Sequence, residues 1–115
     1  MSAGKYKIIC EQGATFALQL QWKDSSDAPI NVLGYTAALQ VRTDKTSEVV
    51  VVELSTSSNG IQLLPEGVIK LSLPASTTTN IEPRNYVYDL ELTSPTGMVT
   101  RLLEGQFLVE GEVTK

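Results

Sequence analysis

The clearest pattern in this chain is a two-residue alternation of apolar and polar side chains. Over residues 15–23 one set alternates with the other, namely Phe16, Leu18, Leu20 and Trp22 against Ala17, Gln19, Gln21 and Lys23. A strand places successive side chains on opposite faces, whereas helical spacing would bring Gln19 and Gln21 into the apolar stripe. The pattern therefore predicts a half-buried antiparallel strand.

Similar segments separated by turn residues continue to the end of the chain. Further strands are predicted at residues 35–42, 49–54, 61–64, 68–73, 86–93, 98–103 and 106–109, with a brief one at 30–32. Turns are predicted at 65–67 and 94–97, one helical turn at 76–79, and a kink or bulge at Gly105. Turns at roughly 8–12-residue intervals indicate an all-β sandwich of seven or eight strands. Strand order is invisible at this level, so an immunoglobulin-like topology and a jelly roll both remain open.

The run of four valines at 49–52 is apolar on both faces of its predicted strand. Such a strand is either central in a sheet or covered by a neighbouring subunit. We favour these interpretations over an exposed edge strand.

Length and composition indicate one globular domain over residues 1–115, with residues 1–5 and 111–115 as flexible tails. The chain has 115 residues, 42% of them apolar and 19% charged. Its net charge of −4 and scattered basic residues argue against nucleic-acid binding, which needs clustered Lys and Arg. No apolar run reaches the roughly 18 residues of a membrane-spanning helix. The first residues lack the apolar stretch of a signal peptide, so synthesis in the cytoplasm is expected.

The chain contains no histidine and one cysteine. Histidine-dependent triads and histidine-based zinc sites are therefore excluded, as is an intramolecular disulfide. Cys10 follows Ile8 and Ile9, which favours a small buried hydrophobic residue over a nucleophile. We predict no cofactor and no resident metal.

Two pairs of carboxylates are candidate sites. Asp89 and Glu91 share one face of a predicted strand, where they could bind a cation or a sugar, but pairing with Arg101 on the neighbouring strand is the favoured interpretation. Asp24 and Asp27 lie in a turn without the spaced oxygen ligands of a calcium loop.

Most aromatic residues share the apolar face of their strands, which indicates core packing. Trp22 ends its strand and Tyr6 precedes the first strong strand. These two are therefore the candidates for contact with a partner protein or a sugar.

Five segments carry a similarity to known proteins, namely residues 11–24 (EQGATFALQLQWKD), 29–37 (PINVLGYTA), 86–92 (YVYDLEL), 94–97 (SPTG) and 100–105 (TRLLEG). They resemble a family of small virion proteins of tailed bacteriophages. The similarity extends over roughly residues 6–113 of the chain, and its motifs mark turns and strands, not catalysis. A looser similarity joins the chain to the N-terminal domain of the upper baseplate proteins of lactococcal phages.

The resemblance implies an immunoglobulin-like sandwich and a structural or adaptor role in the virion. Expected partners are other phage structural proteins of the tail, baseplate or capsid, with multiple copies per particle and no nucleic-acid or membrane partner. The alternative is a carbohydrate-binding module that attaches the particle to the bacterial surface, which needs at least two exposed aromatics on one face. A third hypothesis, a glycosidase that uses Asp89 and Glu91, is disfavoured because one small strand face offers no cleft.

Overall fold

Two β-sheets pack face to face in the structure, a computed structural model that describes residues 4–58 and 60–111. The strands are β1 (Gly4–Lys5), β2 (Ile8–Glu11), β3 (Phe16–Gln21), β4 (Thr36–Arg42), β5 (Val52–Ser55), β6 (Ile61–Leu64), β7 (Val68–Leu73), β8 (Asn85–Thr93) and β9 (Val99–Glu110). A short helix, α1 (Ala75–Thr78), lies between β7 and β8, and a single helical turn, Pro65–Gly67, joins β6 to β7. The predicted all-β sandwich and the helical turn at 76–79 are confirmed.

The strand order, which the sequence did not reveal, is that of an immunoglobulin-like fold. The first sheet has the order β1-β9-β8-β4-β5 with β2 also paired to β9, and the second has the order β3-β7-β6. With β2 to β4 lettered A to C, β5 as C′, and β6 to β9 as D to G, the sheets are A-G-F-C-C′ and B-E-D. A G-F-C sheet facing a sheet built on B, E and D defines this topology.

Tyr86, near the start of β8, supports the same assignment. Its hydroxyl donates a hydrogen bond to the carbonyl oxygen of Glu82, four residues upstream, at 2.6 Å. A tyrosine in this position, bonded back to the chain that enters strand F, is a hallmark of immunoglobulin-like domains. Burial raises the pKa of the Tyr86 hydroxyl, with Glu82 adding to the effect.

The core lies between the two sheets, and the apolar side chains of the predicted alternating segments fill it. On β8 the buried members are Tyr86, Tyr88, Leu90 and Leu92. The rings of Phe16 on β3 and Phe107 on β9 meet edge to face, 6.0 Å between centroids, and so join the two sheets. Cys10 is buried and unpaired, as predicted, and burial raises the pKa of its thiol.

A buried threonine fixes α1 to the turn between β2 and β3. The Thr78 hydroxyl donates to the carbonyl oxygen of Ala14 at 2.8 Å and accepts from the backbone N–H of Gly13 at 3.1 Å. The side-chain amide of Gln12 donates to the carbonyl of Ile81. The turn between β2 and β3 and the segment around α1 therefore satisfy each other's buried polar groups.

The N-terminal part of the chain differs from the sequence prediction. β1 and β2 were not predicted, and with them the described residues contain nine strands. Both run parallel to β9, in one continuous register from Gly4 opposite Leu103 to Glu11 opposite Glu110. Gly4 and Lys5 therefore belong to a sheet, contrary to the predicted flexible tail, while residues 1–3 and 112–115 lie outside the described part of the chain.

Three other local predictions were wrong. Residues 30–32 form no strand; only an isolated bridge joins Lys23 to Pro29 there. The central position predicted for the valine run is also not observed, because β5 begins only at Val52 and lies at the edge of its sheet. Val49 is 70% exposed. Finally, β9 continues through Gly105 as one strand of 12 residues.

Candidate functional site

Tyr6, the first candidate residue, lies between β1 and β2, where the chain runs beside Gly105 of β9. The residue is 45% exposed. Its backbone is held on both sides: the N–H donates to the carbonyl of Glu104 at 3.1 Å, and the carbonyl accepts from the Tyr88 hydroxyl at 2.7 Å. Burial raises the pKa of Tyr88 to about 12. The exposed ring is thus carried by a fixed segment of backbone.

Gly105 allows the backbones of Tyr6 and β9 to lie this close together. Its φ is +154°, and a Cβ on it would lie 2.5 Å from the carbonyl oxygen of Tyr6. Only a residue without a side chain permits such an approach between two backbones. The predicted kink is in fact a point of close contact within a continuous strand.

Beside Tyr6 the edge of the sandwich is open. A cavity of 320 Å³ lies between β2 and the start of β3, and we call it the edge cleft. Its lining includes Tyr6, Ile9, Phe16, Ala17 and Leu18. Among the described residues, β2 pairs only with β9 and β3 pairs only with β7, so each strand has an unpaired edge at this side.

Trp22, the second candidate, lies elsewhere. It is half-buried, its ring meets Tyr35 edge to face at 6.0 Å, and its backbone N–H donates to the carbonyl of Gly67. Tyr6 shares the edge cleft with the start of β3, whereas Trp22 follows the end of that strand. Six residues of strand span about 20 Å, so the two predicted residues form no common aromatic surface. The carbohydrate alternative, which needs such a surface, gains no support from their placement.

The outer face of the first sheet carries a charged groove with a volume of 690 Å³. Its charged lining residues are Lys5, Arg42, Lys45, Asp89, Glu91, Arg101 and Glu104. The guanidinium of Arg101 lies 3.6 Å from Asp89, 3.5 Å from Glu91 and 3.7 Å from Glu104. Lys5 forms a further ion pair with Glu104. The predicted pairing of Asp89 and Glu91 with Arg101 is confirmed.

Two of the three carboxylates of the groove, Asp89 and Glu104, have different electrostatic surroundings. Burial, reinforced by the charge of Glu91, raises the pKa of Asp89, while the hydrogen bond from Lys5 lowers that of Glu104. Asp89 and Glu91 share the guanidinium of Arg101, which attracts both carboxylates across the strands. This arrangement is that of a cross-strand ion-pair cluster.

In the turn that follows β3, the two aspartate carboxylates bind groups close to them in the sequence. Asp24 accepts backbone N–H bonds from Ser26 and Ala28, and Asp27 pairs with Lys23 at 3.3 Å. Within residues 4–58 and 60–111, no group of three or more His, Cys, Asp or Glu side chains could hold a metal ion. In the same part of the chain, no helix is long and apolar enough to cross a membrane.

An apolar surface that the sequence analysis missed lies at one end of the sandwich. The loop from β3 to β4 touches the loop from β8 to β9 where a Cβ on Gly34 would lie 2.9 Å from Pro95. Around this contact Leu33 is 83% exposed, Met98 69% and Val99 58%. We call Leu33, Met98 and Val99 the loop-end patch. These residues lie in or beside turns, where alternation assigns no face, so the only available signal was an apolar residue next to a turn.

Comparison with known proteins adds little to this picture. No protein-family profile and no curated protein matches the sequence. Among solved structures, the chain is similar to CopC from Methylosinus trichosporium OB3b, with a TM-score of 0.47 and 14% identity over 99% of this chain and 90% of that chain. The fold assignment therefore rests on the strand order and on the Tyr86 corner.

Proposed function

We propose that the protein is a non-enzymatic structural or adaptor component of a tailed-phage virion, which docks on a tail, baseplate or head assembly by protein–protein contacts. The observation that carries the proposal is the loop-end patch. Leu33 and Met98 are exposed on loops that a rigid sandwich holds in place, and Val99 is exposed at the start of β9. Loops on such a scaffold are common sites of recognition.

The exposed area of these side chains gives the docking its free energy. Burial of apolar surface contributes about 25 cal/mol per Å², and the centre of a protein interface is depleted in charge. Leu33, Met98 and Val99 fit such a centre, with polar residues Ser94 and Thr96 beside them as a rim. On a symmetric particle, repeated copies strengthen each weak contact by avidity.

The first test of this role is quantitative mass spectrometry of purified particles of the source phage. A whole-number ratio of this protein to tail or capsid protein is expected. Absence from particles overturns the virion role.

A second test asks whether the loop-end patch makes the contact. Leu33→Asp and Met98→Asp are expected to lower incorporation into particles at least tenfold. Val49→Asp is the matched control, because Val49 is equally exposed but follows the opposite end of β4. Equal incorporation of all three variants would exclude this patch as the docking surface.

A further inference from the structure

The exposed edge of β2 presents its peptide groups to solvent in an alternating pattern. The backbone N–H groups of Tyr6 and Gln12 donate to the backbone carbonyl oxygens of Glu104 and Glu110 of β9. Residues of one parity along a strand point their peptide groups to the same side, so the even-numbered residues of this segment face β9. The N–H and C=O of Ile9 therefore point away from the sheet, at an edge that no other described strand covers. An edge of this kind is a template for another strand.

The side chains at this edge form a row of three. Lys7, Ile9 and Glu11 are all exposed, and Ile9 is 52% exposed, whereas Ile8 and Cys10 between them are buried in the core. The row therefore has a basic residue at one end, an apolar residue in the middle and an acidic residue at the other end. In the described part of the chain, no ion pair within 4 Å involves Lys7 or Glu11.

We propose that β2 is a homodimerisation edge, on which β2 of a second copy docks antiparallel across a two-fold axis at Ile9. In this register Ile9 faces its own counterpart and exchanges both backbone hydrogen bonds with it. Lys7 then lies directly opposite Glu11 of the second copy, and Glu11 opposite its Lys7. Opposite charges in such cross-strand positions stabilise the pairing.

The charges select this register over its neighbours. A hydrogen-bonded pair on the two-fold axis must have outward-pointing peptide groups, which restricts it to Lys7, Ile9 or Glu11, whereas a non-hydrogen-bonded pair on the axis is centred on Ile8 or Cys10. A centre at Lys7 places two lysines face to face, and a centre at Glu11 places two glutamates face to face, both of which are repulsive. A centre at Ile8 or Cys10 places Ile9 opposite a charged residue, Lys7 or Glu11. The Ile9 centre alone pairs Lys7 with Glu11 twice and brings the two Ile9 side chains together. A two-fold interface needs this self-complementarity.

The dimer joins the first sheets of two copies into one continuous sheet and leaves the loop-end patch free. This proposal does not depend on the virion role, since it requires only the edge of β2. Its test uses purified protein alone, so its outcome is separate from that of the particle experiments.

The test is sedimentation-equilibrium analysis of the full chain over a range of concentrations, at low and high salt. The wild-type protein is expected to form dimers that weaken as salt screens the ion pairs. Lys7→Glu and Glu11→Lys are each expected to raise the dimer dissociation constant at least tenfold, because each replaces two attractions by two repulsions. The charge-swapped double variant, Lys7→Glu with Glu11→Lys, is expected to return within about threefold of the wild type.

Lys70→Glu is the matched control, because Lys70 is exposed on the outer face of the central strand β7 and makes the same charge reversal away from any edge. Circular dichroism checks that every variant is folded. The proposal is overturned by a wild-type protein that stays monomeric at millimolar concentration. It is equally overturned if the double variant dimerises no better than the single variants, or if Lys70→Glu weakens the dimer as much as they do.

Discussion

The hydroxyl of Tyr88 donates a hydrogen bond of 2.7 Å to the carbonyl oxygen of Tyr6, 82 residues away in the sequence. This bond reaches across Gly105, the residue that pairs with Tyr88 on β9. It therefore links the N-terminal strand to the central strand β8, past the strand that lies between them. The buried phenol of Tyr88 therefore adds a tie to β8 to the backbone pairing with β9 that attaches β1 and β2.

Removal of that phenol should loosen the N-terminal strand. We expect Tyr88→Phe to lower the free energy of unfolding by about 1–2 kcal/mol, because the carbonyl of Tyr6 loses its partner. Urea denaturation measures the change, and hydrogen exchange should show lower protection at Ile8 and Cys10. Tyr35→Phe is the control, with an expected change within about 0.5 kcal/mol. Equal effects of the two substitutions would contradict the role given to the Tyr88 hydrogen bond.

Tyr88 also makes stability depend on pH in the alkaline range. Its pKa is raised to about 12 in the folded protein, against about 10 for an unfolded chain. The unfolded state therefore loses its proton first as the pH rises, so this contribution to stability is complete below pH 10 and disappears towards pH 12. Denaturation midpoints measured from pH 9 to 12 should fall more steeply for the wild type than for Tyr88→Phe. Parallel curves for the two proteins would rule this contribution out.

Gly105 should tolerate no side chain. Gly105→Ala places a Cβ against the Tyr6 carbonyl oxygen, and we expect a loss of more than about 2 kcal/mol in the free energy of unfolding. Gly97→Ala is a matched control, since Gly97 also has a positive φ, of 93°, but a Cβ there meets nothing within 4 Å. Its expected loss is about 1 kcal/mol, from backbone strain alone. Thermal unfolding of both variants measures the difference, and an equal loss would show that the close approach contributes nothing.

Thr78 should behave as a buried polar anchor. Thr78→Val keeps the shape of the side chain but leaves the carbonyl of Ala14 and the N–H of Gly13 without their partner. We expect a loss of about 1–3 kcal/mol in urea denaturation. Thr79→Val, one residue further on and exposed, should change stability by less than about 0.5 kcal/mol. A neutral Thr78→Val would mean that water replaces the hydroxyl.

The parts of the fold that were predictable are those whose pattern is local. Alternation along 86–93 reports burial on one face, and the structure buries Tyr86 and Leu92 as expected. β1 and β2 were missed because two- and four-residue strands carry little periodicity, and their partner β9 lies almost a full chain length away. The central position predicted for the valine run was wrong for a related reason: β-branched residues indicate a strand without saying how many neighbours the strand has.

The candidate site was predictable only in part. An exposed Tyr6 follows from its position before an alternating segment, but its distance from Trp22 depends on how the sheets stack. The pairing of Arg101 with Glu91 was accessible because a hairpin sets cross-strand neighbours from its turn. The loop-end patch required knowing that Gly34 and Pro95 touch, which no local pattern contains.

The parallel pairing of β2 with β9 determines how the domain responds to force. A load that pulls the beginning of β2 away from the end of β9 acts along both strands, in opposite directions. The hydrogen bonds between Ile8–Glu11 and the end of β9 are then strained together in shear, instead of opening one after another. A domain held through these two strands therefore resists tension with its whole seam, a mechanical property suited to a part that links larger bodies.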